Sequence, residues 1–470
     1  MIVVAVMAAT GGEHLSVSQR GVLLSAAAAT ALTFFDQTAT TSALHDIEGD
    51  LHASVADLQW IVGAYLLTLA AFVPAAGRLA DVFGLRRMFL AGVQLFAAAS
   101  IGCALSPSIG VLIALRAVQG TGGALVVPLA LATVAAAVSE QRRGWAIGVL
   151  ATGGSTFLSL GPLIAGGLVD LGGWRWVFAA GVPVSLLSLW AGHRWIEEST
   201  VAHPPRVNVR DLSLLALGLG GVVSGLLQMS SWGVAAAGTI GLLAGGIALL
   251  SLFAVMQHRE REPVLALSLL RLPNVGAYLV ALLAGQFTVT ALTVELMLYL
   301  QRTLGYDPFV AGLLFLPTVI ATPLLSPAAG RLADRGRGGV LVPLGLLAAA
   351  AAMAWIAALA DRRSVWLLLP ALCVFGLSRP FLFTPSSTAP VQALPGRERA
   401  LAASLVTESY QLGAALGIAV AGCVVGLVGG LAGFRIAIAI AGAVCLVSTA
   451  AMRVLLGSGR SAPVGGQVAR

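Results

Sequence analysis

Apolar residues along this chain fall into long, nearly continuous runs separated by short polar turns. A bilayer core of about 30 Å needs roughly 20 apolar residues per helix, and runs of that length predict transmembrane helices rather than core segments of a soluble domain. Fourteen runs qualify, at approximately 21–44, 57–76, 87–105, 109–130, 144–168, 175–193, 212–231, 234–256, 276–299, 309–329, 340–360, 364–385, 400–425 and 430–456. The turns near Ser106, Ser231 and Arg363 are very short. The pattern predicts an all-α integral membrane protein.

One hexapeptide, Ala-Gly-Arg-Leu-Ala-Asp, occurs twice, at Ala76–Asp81 and again 253 residues later at Ala329–Asp334. Each copy ends an apolar run and precedes a basic, glycine-containing turn. A duplication with one copy in each half of a membrane transporter accounts for it. Six helices with short loops take about 210 residues at roughly 20 per span plus connections. The remaining separation leaves room for the pair 212–231 and 234–256. The expected organisation is a cytoplasmic tail (1–20), a six-helix bundle (21–195), a linker with two extra spans (196–275), a second six-helix bundle (276–456) and a second cytoplasmic tail (457–470).

Composition sharpens the class. Hydrophobic residues make up 58% of the 470 positions and charged residues 10%, and mean hydropathy is +0.94, so the bilayer is the expected solvent. The net charge of +7 comes without a basic stripe or reader motif, which argues against a nucleic-acid partner. All 27 basic residues are arginine. The four cysteines lie in apolar runs without metal spacing and read as small packing residues. No histidine falls in mid-membrane, and no metal site is expected. Met1–Ala9 is apolar but lacks the charged start of a signal peptide and reads as a poorly ordered tail. No phosphate-binding Gly-x-x-x-x-Gly-Lys loop exists, since the chain has no lysine. An enzyme is not expected, nor a bound cofactor; an ion gradient should supply the energy.

Arginine placement sets the predicted orientation. Twenty arginines fall in the termini and even-to-odd loops, and five (Arg175, Arg302, Arg362, Arg363, Arg435) in the opposite set. The positive-inside rule then puts both termini in the cytoplasm.

Several motifs resemble those of the major facilitator superfamily. Gly77-Arg78-Leu-Ala-Asp81-Val-Phe-Gly84-Leu-Arg86-Arg87 is similar to its loop 2–3 signature, and Gly330-Arg331-Leu-Ala-Asp334 stands at the matching place in the second half. Arg116-Ala-Val-Gln119-Gly-Thr-Gly-Gly is similar to the fourth-span signature. Gly161-Pro162-Leu-Ile-Ala-Gly166-Gly167 resembles the fifth-span antiporter motif. Asp36-Gln-Thr38 and Gly173-Trp-Arg-Trp-Val-Phe178 resemble segments of the fourteen-span drug:proton antiporters. The resemblance implies two six-helix bundles related by a pseudo-two-fold axis plus two linker helices. It also implies a cytoplasmic gate at Gly77, Arg78, Asp81, Gly84, Arg86, Arg87, Gly330, Arg331 and Asp334.

Charged residues inside spans are costly and mark candidate sites. Asp36 and Arg116 lie about eight residues from the outer ends of spans one and four, so at 1.5 Å per residue their depths match. They are expected to interact, either as a coupling carboxylate with its partner or as a structural pair. Arg379 and Glu408, at matching depths on spans twelve and thirteen, are expected to compensate each other, either as a structural pair or as a substrate or proton site. Glu295 either faces the cavity or snorkels to the outer interface. Gln119 and Gln411 either line the cavity or bond between helices. Asp81 and Asp334 sit at helix junctions, where a helix N-terminus favours a carboxylate. Gly161, Pro162, Gly166 and Gly167 fit close helix approach with a bend.

The resulting expectation is a proton-coupled antiporter that exports amphipathic, in some cases cationic, drugs or antibiotics from a bacterial cell. It should act as a monomer in the plasma membrane. Two alternatives stay open: a dedicated exporter of one secondary metabolite or lipid, and a nontransporting sensor or scaffold.

Overall fold

The computed structural model describes residues 15–198, 209–260, 265, 267–394 and 396–459. They are helical almost throughout. This follows from the apolar runs, because a backbone in hydrocarbon must satisfy its own hydrogen bonds. The helices are α1 Val17–Leu51, α2 Val55–Phe83, α3 Leu85–Ala104, α4 Ile109–Ala137, α5 Glu140–Gly172, α6 Arg175–Ala179, α7 Gly181–Trp195, α8 Val209–Trp232 and α9 Ala237–Arg259. They continue as α10 Pro273–Leu298, α11 Pro308–Phe315, α12 Ala321–Leu332, α13 Gly338–Leu359, α14 Val365–Gln392, α15 Gly396–Val428 and α16 Gly430–Gly459. Among the described residues, thirteen helices are long and apolar enough to cross a membrane. The other expected span, 144–168, falls in α5, whose described apolar part is Leu160–Gly172.

Most helices outrun the apolar segments that predicted them, because polar caps extend them. Ser16 and Gln19 form a reciprocal capping box at the start of α1, and Ser54 and Asp57 form another at α2. The expected tail 1–20 therefore gives way to helix from Val17, while Met1–Ala9 and 460–470 lie outside the described residues. The span expected at 309–329 is broken. Pro317 lies within a one-turn tightening at Leu316–Thr318 that separates α11 from α12, and Pro323 follows in the first turn of α12.

The chain divides into two compact units, Met1–Leu250 with Thr293–Val319, and Ser251–Leu292 with Ile320–Arg470. In the first, α1 packs along α5, and α4 packs between α2 and α3. Helices α8 and α9 form a hairpin lined with glycine: a Cβ on Gly221 would lie 2.9 Å from Gly246 Cα, so the backbones touch. Of this pair, α8 leans on the bundle, with Leu227 against Gly63 of α2. In the second unit α14 packs on α12 and α13, and α16 on α13 and α15.

The two hexapeptide copies occupy equivalent local settings. Ala76 and Ala329 are both fully buried near the C-terminal ends of α2 and α12. Each copy leads to a glycine with positive φ, Gly84 at 100° and Gly336 at 76°. An L side chain rarely adopts that conformation, so glycine turns the chain there.

Candidate functional site

The main cluster lies in the first unit and is built on five helices. Asp36 faces inward from α1, with 4% of its surface exposed, and Arg116 of α4 is fully buried. Arg116 Nη1 donates to Asp36 Oδ2 at 2.5 Å and to Gln119 Oε1 at 2.6 Å, while its Nε donates to the Ile61 carbonyl of α2 at 3.1 Å. Gln119 Nε2 donates to the other carboxylate oxygen, Asp36 Oδ1, at 3.1 Å and to Ser100 Oγ of α3 at 2.9 Å. The guanidinium stacks over Tyr65 at 4.4 Å and lies 5.7 Å from the Phe178 ring centre. Both carboxylate oxygens therefore accept from charged or amide donors, and aromatic faces cover the cation. Gln119 sits three residues after Arg116, which puts both on one face of α4. Ser100, Tyr65, Ile61 and Phe178 complete the cluster. Nothing in the charge pattern pointed to them, because a hydroxyl, a ring or a backbone carbonyl in an apolar run looks like packing.

The fifth-span motif fits against α1 immediately beside Asp36. Proline lacks the N–H that would bond the carbonyl four residues back, so Pro162 frees the Leu158 oxygen. Thr38 Oγ1 donates to that oxygen at 3.0 Å, and Ser42 Oγ donates to the Pro162 carbonyl at 3.1 Å. Gly161 leaves space for Thr38, whose hydroxyl a Cβ would meet. Gly166 packs on the backbone of Pro308 and Phe309, and Gly312 of α11 on the backbone of Pro162 and Leu163. Gly167 lies looser, with Phe309 as its neighbour.

Glu295, at the end of α10 that belongs to the first unit, is 3% exposed and lies beside Gln59 of α2. It is buried within protein, so the snorkelling alternative does not describe it. Nearby, Arg302 Nε donates to Glu48 Oε2 at 2.6 Å and Gln301 Nε2 to the Ser42 carbonyl at 3.1 Å. At the same end of α1, Asp50 accepts from Arg175 Nη1 at 2.6 Å and from Trp174 Nε1 at 3.0 Å. These partners were not foreseen, since each joins segments far apart in sequence.

At the opposite end of α1 the loop 2–3 cluster differs from expectation. Asp81 lies in the last turn of α2, which runs to Phe83, so it is not at a helix N-terminus. The carboxylate at the start of α3 is Glu198. It accepts from the Arg86 backbone N–H at 3.0 Å and sits 3.6 Å from Arg87 Nε. Arg86 Nη2 donates to the His193 carbonyl at 2.8 Å. A Cβ on Gly84 would strike the Glu198 carboxylate, so glycine permits this approach. Gly77 has open space around it, and Arg78 is half-buried beside Asp81. In the second unit Gly330 and Arg331 close α12, and Asp334 enters the turn Ala333–Arg337, its side chain lying outside the described residues.

Arg379 and Glu408 do not form the expected ion pair. Both Glu408 carboxylate oxygens lack a hydrogen-bond partner among the described residues. Arg379 instead lies 5.9 Å over the Phe383 ring, which stacks edge-on with Tyr410 at 5.9 Å. Tyr410 follows Glu408 by two residues, about 200° around α15, so Arg379 is drawn to the other side of the helix. Matched depth did not fix rotation. Gln411, on the Glu408 face, is also buried and its Oε1 has no partner.

A bundle of membrane-length helices with charged residues paired in its interior and proline-containing, glycine-packed spans defines a multi-pass membrane transporter rather than an enzyme. The family model for the Major Facilitator Superfamily matches residues 26–418 and, in a second match, 279–467. This chain belongs to that superfamily. It is 31% identical to the multidrug resistance protein Stp of Mycobacterium tuberculosis, covering 82% of this chain and 72% of that one. It is 32% identical to the tetracenomycin C resistance and export protein of Streptomyces glaucescens, covering 84% and 74%. With the lincomycin resistance protein LmrB of Listeria monocytogenes the identity is 29%, covering 87% and 86%. Among solved structures, the D-xylose–proton symporter matches with a TM-score of 0.66 at 14% identity, covering 92% of this chain and 96% of that one. An inward-facing bacterial Spinster homologue matches at 0.69 and 16%, covering 95% and 98%. The fold is thus that of the superfamily, and the relatives are antibiotic and multidrug resistance proteins.

Proposed function

We propose that this protein is a fourteen-span proton-coupled antiporter that exports amphipathic drugs or antibiotics across the bacterial plasma membrane. It works as a monomer with both termini in the cytoplasm and uses the proton gradient in place of any cofactor. The Asp36–Arg116–Gln119 network carries the reading. Among the described residues, Asp36 is the carboxylate inside a span that accepts from a cation and an amide together. Taking up a proton cancels the charge that Arg116 and Gln119 bind, which loosens α1 from α4. Releasing it restores the pair. Proton binding therefore biases two packings of the same helices, which is what coupling to an ion gradient requires. One charge moving through 100 mV supplies about 2.3 kcal/mol. The Thr38 and Ser42 bonds to α5 lie on the same helix as Asp36, so the motion of α1 is passed to α5.

The reaction follows in order. In the outward-open state Asp36 takes a proton as drug leaves. In the inward-open state drug binds and the proton departs to the cytoplasm; in the outward-open state Glu198 and the arginines of the loop 2–3 cluster latch the inner side. Relatives named for resistance to single compounds, such as the methylenomycin A resistance protein of Streptomyces coelicolor, favour a second reading: a dedicated exporter of one secondary metabolite.

Ethidium efflux from a pump-deficient bacterium tests the first reading. The expected result is efflux abolished by a protonophore and lost in Asp36→Asn. Full protonophore-sensitive transport in Asp36→Asn would remove Asp36 from coupling. Absence of efflux despite membrane expression would move the substrate to the single-metabolite class.

A further inference from the structure

We infer that His45 makes the outer closure of this transporter sensitive to external pH: its protonation weakens the Glu48–Arg302 clasp that ties the segment after α10 to α1. Calling that side outer rests on the orientation proposed above; the chemistry of the clasp does not. Segment Thr293–Val319 belongs by sequence to the second half, yet it clusters with the first unit. Polar bonds fasten it there. Arg302 Nε donates to Glu48 Oε2 at 2.6 Å, and its Nη2 lies 2.5 Å from the same oxygen. Gln301 adds its bond to the Ser42 carbonyl. Both donors sit in a π-helical turn, Tyr299–Thr303, a departure from the α-helix that recurs at functional sites. When the halves of a repeat-built transporter part on the outer side, bonds of this kind must break.

The same oxygen has a third neighbour. His45 is exposed, and its Nδ1 lies 3.4 Å from Glu48 Oε2. His45 and Glu48 are three residues apart on α1, so their attraction is the same whether Arg302 is bound or gone. Repulsion between an imidazolium and the guanidinium differs, because it exists only while both crowd one oxygen. Protonating His45 therefore raises the free energy of the clasped arrangement alone. By linkage the released state holds the proton more tightly, and acid favours release. The other charges at this end do not reverse the sign. Asp46, pushed up by burial and pulled down by His45, is on α1 itself, and Asp170 of α5 faces Asp46. Asp50 has His52 nearby and is bound by Arg175 and Trp174. All of these belong to the first unit and stay with α1 when Arg302 leaves. An imidazole titrates near about 6.5, within reach of an acidified exterior. The protons destined for Asp36 thus first loosen the closure that stands in their way.

The test follows a distance in the full chain, in lipid nanodiscs and without substrate. Spin labels are placed on Gly49→Cys of α1, where a Cβ meets nothing, and on Thr303→Cys of the π-helical turn, in a background lacking the four native cysteines. At a pH of about 8 the labels should give one short distance. At about 5.5 a longer distance should gain at least about fivefold in population, the low end for coupled equilibria, with a midpoint near about 6.5. His45→Gln should hold the short distance at both pH values. Glu48→Gln should give the long one at both, which shows that the labels detect release. A pH response that survives His45→Gln, or none in the parent protein, would overturn the proposal. So would a short distance in Glu48→Gln, since the clasp would then not hold the closure. Ethidium efflux reports the exporter reading separately. Loss of efflux with an intact distance response would reject the exporter and keep the switch; efflux with a distance blind to pH would do the reverse.

Discussion

Arg116 shows why an arginine, and not simply a positive charge, stands two turns into α4. Its Nη1 meets Asp36 and Gln119 while its Nε meets the Ile61 carbonyl, a spread of donors over two nitrogens of a rigid fork that a lysine lacks. Arg116→Lys should therefore behave nearly as badly as Arg116→Gln. Breaking a buried pair from one side typically costs about 3–5 kcal/mol, because the surviving charge is stranded. Asp36→Asn and Arg116→Gln should each lower thermal stability in detergent accordingly, and the double variant should cost clearly less than their sum. Strict additivity would mean that the two side chains do not compensate each other. This pair was legible in the sequence because two charges interrupt long apolar runs at equal depth. The same reasoning paired Arg379 with Glu408, where it failed. Depth comes from counting residues, whereas rotation about the helix depends on neighbours such as Phe383 and Tyr410 that counting ignores.

At the scale of helices, the gap that Pro162 leaves in the hydrogen bonding of α5 is a shared property of two elements. Pro162 opens a carbonyl in one, and Thr38 of the other closes it. Thr38→Val is nearly isosteric and removes only the donor, so it should cost about 1–3 kcal/mol, the penalty for an unsatisfied buried acceptor. Pro162→Ala restores an N–H to the Leu158 carbonyl, and in that background Thr38→Val should cost much less. A cycle of the four proteins, read by thermal unfolding, measures the coupling; equal costs in both backgrounds would separate the hydroxyl from the gap. The motif itself could be read from sequence, but not the identity of its partner. Helix ends were also obscured, because apolar runs stop where the hydrocarbon stops, while caps such as Ser54 with Asp57 carry the helix further. That extension is why Asp81 finishes α2 and Glu198, in a stretch with no motif, takes the start of α3.

For the molecule as a whole, the repeated hexapeptide and the hydropathy pattern gave the class of fold, and the arginine distribution gave an orientation that labelling can check. In a background lacking the four cysteines, Ser108→Cys and Ala235→Cys should react with a membrane-impermeant maleimide from outside intact cells. Val82→Cys should react only after permeabilisation. The opposite pattern would invert the topology, and an Ala235 site reached only from inside would remove the α8–α9 hairpin as a membrane crossing. The hydroxyl bridges between α1 and α5 also have a bearing on how movement is measured. Two helices fastened through Thr38 and Ser42, with glycine between them, cannot slide past each other without losing both bridges together. The pair therefore travels as one body, so a label on α5 should report any displacement of α1 as faithfully as a label on α1 itself.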